Sequence, residues 1–399
     1  MAQDVPAWLA RWTPPIIMGA GALFCCISRD DPGKLPPSQD SAFDKELLDG
    51  FKRALNKGNI IHSSPARIRR RRIEGLMGML AAVSGEHFDK KRKVGDKFER
   101  VVASADPHGF NFTQVDDAEK ISEIQVQMPD QQVIPTSVIV NVSPLAIGHV
   151  LLVPNIEQRN PQVLNKEMLL CGLQLLAMSL RQDFRLVFNS LRGFASVNHF
   201  HFHGLYADYC GLDSKFPIER VDRSLVAGSI KEGHTCVELL AETQWHTRGF
   251  VLSAGCKAGT RGKRPPADLE ALASAAAGLV LELQRRNIPH NLLMAPYQEG
   301  QKPRLVELGM AGEDQAHLLL PDAMSPYIYI IPRQPESNHS EKAGFNAAVS
   351  EIAGVVLAHT EEAFETFTED SLKQAFSGSV TLDGLEFDDL ICKAAWLAI

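Results

Sequence analysis

The feature that most constrains the fold is a short run in which histidine and phenylalanine alternate, at residues 199–203. Three of the 13 histidines of the 399-residue chain stand here at alternate positions, as His199, His201 and His203. Successive side chains of a β-strand point to opposite faces of its sheet, so the imidazoles should share one face and the two phenylalanines the other. The alternation therefore predicts a strand over residues 196–206.

Length and composition indicate a folded globular chain with room for two or three domains. Hydrophobic residues make up 45% and charged residues 22%, close to the averages of globular proteins. The longest apolar stretch, Pro14–Ile27, is too short for a transmembrane helix and lacks the basic head of a signal peptide. The seven cysteines form no C-x-x-C pair, which argues against a disulfide framework or a cysteine zinc site. A cytoplasmic protein with no membrane partner is expected.

A run of four arginines, Arg69–Arg72, raises the question of nucleic-acid binding. The formal net charge is −7, which opposes an attractive field for nucleic acid, and no aromatic residues alternate with the run. A solvated helix face is the favoured interpretation, so no nucleic-acid partner is expected. A local pocket for a phosphorylated small molecule stays open.

Periodicity along the chain predicts both helices and strands. Helices are predicted over residues 43–55, 166–180, 267–286, 345–358 and 370–376. Strands are predicted over residues 134–142, 149–154, 184–188, 291–294 and 327–331, the first two as an antiparallel pair. The segment Cys256–Pro266, rich in glycine, proline and cations, is the best internal linker.

Three interpretations of the histidine row stay open from the residues alone. Imidazole is a common metal ligand, but a metal site would need a further ligand from elsewhere in the chain. The row could also be a plain polar strand face. In the third interpretation an imidazole attacks a phosphoanhydride and forms a phosphoramidate, while hydrogen-bond donors stabilise the phosphate charge. Small and amide residues upstream would suit phosphate oxygens: Asn189, Ser190, Gly193 and Ser196.

The histidines belong to a longer set of motifs that resembles the histidine triad superfamily of nucleotide hydrolases and transferases. The other motifs are Asn189, Ser196-Val197, Asn141-Val-Ser-Pro144 and Gly148-His-Val-Leu-Leu-Val-Pro154. More closely, the chain resembles the GDP-hexose phosphorylase branch over about residues 42–395, through Gly75-Leu-Met-Gly78, Lys90-Lys91-Arg92, Phe110-Asn-Phe-Thr113 and Phe188-Asn-Ser-Leu191. The plant type has glutamine at the third triad position. This chain has His203 there, which favours the animal type that acts on GDP-D-glucose.

The resemblance implies an α+β fold, with a histidine-triad-like antiparallel sheet, packed helices and two related halves. An N-terminal extension would cover residues 1–41. The catalytic half would cover residues 42–255, and a second, C-terminal half residues 256–399.

The resemblance also implies a reaction. His201 would attack the α-phosphorus of GDP-D-glucose, expel D-glucose 1-phosphate and hold GMP covalently, and inorganic phosphate would then release GDP. His199 and His203 would orient His201, and Ser196 would donate a hydrogen bond to the leaving oxygen. Each also has a structural alternative, in packing or in a turn. No metal and no cofactor is expected.

Further residues are candidates for binding the substrate. Asn141, Asn189 and Gly193 would contact the ribose or the phosphates, although turn formation would explain the asparagines as well. Phe110, Asn111 and Phe112 would recognise the base, with core packing as the alternative for the phenylalanines. Lys91 and Arg92, with Lys90, would hold the acceptor phosphate, or else form a solvated loop.

Two other functions compete with the phosphorylase. A hydrolase would let water accept the GMP, and a nucleotide-binding module would keep the fold without turnover. The sequence leaves the preferred hexose and the oligomeric state open.

Overall fold

The computed structural model describes residues 40–57, 64–84, 98–227, 235–254, 269–296, 326–339 and 341–397. Three predicted features lie outside these ranges: residues 1–39 of the N-terminal extension, the pair Lys91 and Arg92, and the linker Cys256–Pro266.

Seven helices and thirteen strands occur in the described residues. The helices are α1 Ala42–Asn56, α2 Lys166–Met178, α3 Leu269–Arg285, α4 Val349–Ile352, α5 Glu361–Thr366, α6 Glu369–Ser379 and α7 Gly384–Leu397. The strands are β1 Arg69–Arg72, β2 Leu80–Val83, β3 Lys120–Gln127, β4 Val133–Val140, β5 Val150–Pro154, β6 Phe184–Asn189, β7 Phe202–Tyr206, β8 Arg223–Ala227, β9 Thr235–Leu240, β10 Phe250–Ala254, β11 His290–Ala295, β12 Tyr327–Pro332 and β13 Val355–Ala358. The predicted α+β class is confirmed.

Ten strands form one antiparallel sheet in the order β3-β4-β5-β7-β6-β11-β12-β10-β9-β8. The sheet consists of two sets of five strands, β3 to β7 and β8 to β12. When the strands of each set are numbered along the chain, their order from the outer edge of the sheet to its middle is first, second, third, fifth and fourth in both sets. In both sets a helix, α2 or α3, connects the third strand to the fourth. The two related halves are therefore visible as repeated topology. The predicted boundary between residues 255 and 256 lies inside the second set, after β10, and it stays a prediction.

Two hydrophobic cores cover the two faces of this sheet. Helices α1, α2, α3 and α7 pack on one face, where Phe200 and Phe202 are fully buried as their alternation with histidine predicts. The small sheet β1-β2-β13 and helices α4 to α6 cover the other face, which carries Val187 and Leu205. The histidine face of β7 is on this second side.

The predicted strand over residues 196–206 is too long. Strand β7 starts at Phe202, so His203 is paired in the sheet, while His199 and His201 precede it in a loop that bends at residues 197–199. The pairing partners explain the limit, since β5 opposes only Phe202 to Gly204, and β6 begins its pairing with β7 at His203.

The predicted helix over residues 345–358 is wrong. Only Val349–Ile352 is helical, and Val355–Ala358 forms β13, which pairs in parallel with β2. Gly354 ends the helical turn with φ 108°, a conformation that favours glycine, and a Cβ there would lie 2.6 Å from Pro217.

The interpretation of the arginine run as a solvated helix face is also wrong, because Arg69–Arg72 form β1. Alternate guanidinium groups point to opposite sides, as in any strand. Arg69 pairs with Glu361 and Glu365, and Arg71 donates to the carbonyl oxygens of Phe364 and Phe367 at 2.8 Å each. On the other side, Arg70 donates to Leu145 O and Arg72 pairs with Asp213. The run therefore connects the C-terminal helices and the loop at Leu145 to the small sheet.

In the part of the chain that the structure describes, no helix is long and apolar enough to cross a membrane. The cysteines described there, Cys171, Cys210, Cys236 and Cys392, are free. The expected cytoplasmic location stays a prediction.

A buried ion pair provides a test of the fold. Arg185 of β6 and Glu219 are both buried, and they share two hydrogen bonds of 2.8 Å. Replacing Glu219→Ala would leave a guanidinium without its counter-charge in the core. We expect the free energy of unfolding to fall by about 3–5 kcal/mol, measured by urea denaturation. Lys52→Ala, which removes the exposed pair with Asp49, should change it by less than about 1 kcal/mol. If both variants lower the free energy of unfolding equally, Arg185 and Glu219 do not form a buried ion pair.

Candidate active site

A cavity of about 950 Å³ lies on the histidine side of the large sheet. Eight of the predicted site residues line it: Phe110, Asn111, Phe112, Asn141, Asn189, Ser196, His201 and His203. His199 and Gly193 are adjacent but do not line the cavity. The structure thus places most of the predicted site around one space large enough for a nucleotide sugar.

The hydrogen bonds of His201 determine which ring nitrogen carries its proton. Nδ1 lies 2.8 Å from the carbonyl oxygen of His199, which can only accept, so the proton is on Nδ1. The lone pair is then on Nε2, the nitrogen left for the cavity. Burial lowers the pKa of His201 to about 4, although the hydrogen bond to the carbonyl oxygen of His199 acts in the opposite direction. His201 is therefore a neutral imidazole with a nucleophilic Nε2.

Gln162, which belongs to none of the motifs, positions the backbone around His201. Its side-chain oxygen accepts the N–H of His201 at 2.9 Å, and its Nε2 donates to the carbonyl oxygens of Asn189 and His201. Its own N–H donates to Asn198 Oδ1 at 2.9 Å. This buried amide therefore connects the end of β6, the loop before β7 and the nucleophile.

His199 orients its neighbour through its backbone and binds the Phe112 segment through its ring. Its Nδ1 accepts the N–H of Phe112 at 3.0 Å. The Phe112 ring lies 5.5 Å from the ring of His199 and 5.0 Å from that of His201, between centroids. Burial, followed by the charge of Arg159, lowers the pKa of His199 to about 4.

A fourth histidine, His149, sets the proton of His203. The N–H of Leu145 donates to His149 Nδ1 at 3.0 Å, so the His149 proton is on Nε2. That atom lies 2.9 Å from His203 Nδ1 and donates to it, which leaves the proton of His203 on Nε2. Asn141 Nδ2 is 3.0 Å from the same His149 Nε2, a contact between two donors rather than a second hydrogen bond. His203 can therefore offer an N–H to a bound phosphate.

Asn189 lies where the two halves of the sheet meet. Its Oδ1 accepts from Asn291 Nδ2 at 2.6 Å and from the N–H of Val349 at 3.0 Å. Asn291 also donates to Gly193 O at 2.8 Å. At Gly193 a Cβ would lie 2.9 Å from Ser190 Oγ, so glycine allows this close approach. Gly193 thus shapes the loop from behind the cavity wall.

Two family models match the chain: the GDPGP1-like N-terminal domain over residues 42–205 and the GDPGP1-like C-terminal domain over residues 221–395. The chain belongs to the GDPGP1-like family. This confirms the family that the motifs around the triad predict.

The chain is similar to named relatives, and it shares its fold with a solved structure. GDP-D-glucose phosphorylase 1 of Danio rerio is 28% identical over 349 residues, 88% of each chain. The human protein of the same name is 29% identical over 86% of this chain and 80% of its own length. GDP-L-galactose phosphorylase 2 of Arabidopsis thaliana is 32% identical over 56% of this chain and 50% of its own length. Yeast Ap4A phosphorylase Apa2, solved with Ap4A, is 13% identical and shares the fold, with a TM-score of 0.53 over 86% of this chain and 99% of that one.

The cavity of this GDPGP1-like chain also has charged residues that the sequence analysis missed. Arg159 is the one lysine or arginine among the described lining residues. It is exposed and adopts a left-handed conformation with φ 49°, at the end of the turn Ile156–Gln158. Three acidic residues, Glu99, Asp106 and Glu351, also line the cavity. The motifs contained no repeat or spacing that would have indicated these single residues.

Among the described residues, no group of three histidine, cysteine or acidic side chains is arranged to hold a metal ion. The histidines of the site bond to backbone groups and to each other.

The low pKa of His201 can be tested by titration. Burial disfavours the charged imidazolium, so the ring should stay neutral from about pH 8 down to about pH 5.5. Its imidazole resonances, identified by their absence in the His201→Asn variant, should not shift over this range in an NMR titration. A titration midpoint between pH 6 and pH 7 would contradict the neutral nucleophile.

Proposed function

We propose that the protein cleaves GDP-D-glucose with inorganic phosphate, giving D-glucose 1-phosphate and GDP. The observation that carries the proposal is the fixed tautomer of His201, which holds an uncharged Nε2 at the cavity. A nucleophile of this kind suits the family to which the chain belongs and the activity in the names of its relatives.

In the first step, His201 Nε2 forms a bond to the α-phosphorus of GDP-D-glucose. The bond from the α-phosphorus to the bridging oxygen breaks, and glucose 1-phosphate leaves with the electron pair. The imidazole becomes positively charged in the covalent GMP intermediate, and its Nδ1–H already donates to the carbonyl oxygen of His199. This contact strengthens as the charge develops and costs no rearrangement.

In the second step, an oxygen of inorganic phosphate attacks the same phosphorus, the P–N bond breaks, and the electron pair returns to Nε2. GDP is the product. Both steps place a phosphate group on the side of the α-phosphorus opposite the imidazole, so one set of donors serves the leaving group and the acceptor.

The surrounding residues suit the remaining tasks. His203 would donate its Nε2–H to an oxygen of the α-phosphate. The hydrogen bond from His149 to His203 Nδ1 keeps the His203 proton on Nε2. Ser196, in the cavity wall, would donate to the bridging oxygen. We propose that the base lies on the Phe110 and Phe112 side, whereas Asn111 caps its own turn through Oδ1. A role for Lys91 and Arg92 in holding the acceptor phosphate is proposed from the sequence alone.

The reaction is tested by incubating the purified protein with GDP-D-glucose, with and without inorganic phosphate. We expect GDP and glucose 1-phosphate only with phosphate, and a GMP adduct in the intact mass when phosphate is omitted. The His201→Asn variant should lose the adduct and at least about 10³-fold of turnover, with an unchanged circular dichroism spectrum.

Other outcomes would replace the proposal. Release of GMP at the same rate with and without phosphate would identify a hydrolase. Binding of the nucleotide sugar without any product would indicate a non-catalytic nucleotide-binding module. Full turnover in His201→Asn would reject the nucleophile.

Arg159 provides a separate test of where the phosphates bind. We propose that its guanidinium pairs with the β-phosphate of the substrate and then with the acceptor phosphate. Arg159→Ala should lower kcat/KM for both GDP-D-glucose and phosphate by about 10- to 100-fold, and Arg159→Lys should recover part of the loss. Arg100→Ala, an exposed arginine outside the cavity, is the matched control and should leave both unchanged. If Arg159→Ala leaves kcat/KM unchanged for both GDP-D-glucose and phosphate, the phosphates do not bind at Arg159.

A further inference from the structure

Part of the cavity lining combines aromatic rings with a carboxylate. Phe110 and Phe112 line the cavity; Phe110 is 41% exposed although it is a large apolar side chain, whereas Phe112 is 2% exposed. The rings of Phe110 and Phe112 meet edge to face at 5.9 Å, and Phe112 contacts the ring of His201 at 5.0 Å, between centroids. The exposed ring of Phe110 therefore suits the base of a bound nucleotide, and Phe112 links it to the nucleophile.

The carboxylate belongs to Asp106, in the turn before Phe110. Its Oδ1 accepts the N–H of His108 at 2.9 Å. Its Oδ2 lies so close to Gly109 that a Cβ at that position would be 2.7 Å away. The carboxylate is thus held by its own turn at the cavity wall, and Gly109 provides the space for it.

Hydrogen bonds link this turn to the catalytic histidines. Asn198, the residue before His199, donates from Nδ2 to the carbonyl oxygens of Ala103 and Ser104 at 3.2 Å and 2.8 Å. Its Oδ1 accepts from Gln162, which in turn holds His201. The position of the Asp106 segment is therefore set relative to the attacking nitrogen.

We propose that Asp106 selects guanine by accepting hydrogen bonds from its N1–H and its 2-amino group. Guanine presents two adjacent donors on this edge, and a carboxylate offers two adjacent acceptor oxygens. Adenine has an acceptor at N1 and no 2-amino group, so it would leave the carboxylate facing a lone pair. A site built around such bonds rejects a base that cannot form them.

Glu99 is another acidic residue that lines the cavity. In the described part of the chain no hydrogen bond to its carboxylate is present, whereas the turn of residues 106–109 holds that of Asp106. Glu99→Gln is therefore a matched control that removes a carboxylate charge from the same cavity.

The inference rests on the proposed function only in taking a guanine nucleotide as the ligand, and equilibrium binding tests it without turnover. The dissociation constants of GMP, IMP and AMP would be measured by calorimetry. IMP keeps N1–H but lacks the 2-amino group. The wild-type protein should bind GMP most tightly, IMP about 10-fold more weakly and AMP most weakly.

In Asp106→Asn, GMP binding should weaken by about 10- to 100-fold, AMP binding should stay the same or improve, and the ratio between GMP and IMP should approach one. Gly109→Ala, which displaces Oδ2, should reduce the preference for GMP over AMP in the same direction. Glu99→Gln should keep the wild-type pattern.

Two results would overturn the inference: equal binding of GMP and AMP by the wild-type protein, or an equal loss for all three nucleotides in Asp106→Asn. A protein that selects GMP through Asp106 but does not cleave GDP-D-glucose would refute the proposed reaction and leave the assignment of Asp106 standing. If the protein cleaves GDP-D-glucose but Asp106→Asn keeps the selectivity for GMP, the assignment of Asp106 is refuted and the proposed reaction stands.

Discussion

The hydrogen bond between Asn189 and Asn291 lies at the centre of the ten-stranded sheet, and the shape of the cavity depends on it. These residues face each other where β6 and β11 pair, at the junction of the two halves. The same two amides hold the N–H of Val349 and the carbonyl oxygen of Gly193. The buried Arg333, whose pKa burial lowers to about 9, donates to Asn291 Oδ1 from behind. This buried amide pair thus positions two walls of the cavity. An apolar pair could not replace it, because the hydrogen bonds to Val349 and Gly193 would be lost.

The alternation of residues 199–203 was enough to predict the buried phenylalanines, the histidine face and, with the neighbouring motifs, the family. It could not predict where the strand begins, because pairing depends on how far β5 and β6 extend beside it. His149 and Gln162 were missed as site residues for a related reason. Each is a single polar residue whose partners are distant in sequence, and periodicity carries no information about such contacts. The helix expected over residues 345–358 failed because Val355–Ala358 finds a parallel partner in β2, which local sequence cannot show.

The electrostatics of the cavity depend first on the burial of His201. Burial keeps the imidazole uncharged, so the lone pair of Nε2 stays available, whereas an imidazolium would have none. Arg159 lines the same cavity and supplies a positive charge for the phosphates of a nucleoside diphosphate sugar.

The continuous sheet has a consequence for motion. In many enzymes built from two similar halves, the halves rotate about a linker and close over the substrate. Here such a rotation would have to break the pairing of β6 with β11, which joins four residue pairs at the middle of a single sheet. The two halves must therefore behave as one rigid support, and any opening that admits a nucleotide sugar must come from the loops and side chains at the cavity rim. Exchange of substrate and product would then be governed by local rearrangements, which are faster than the movement of whole domains.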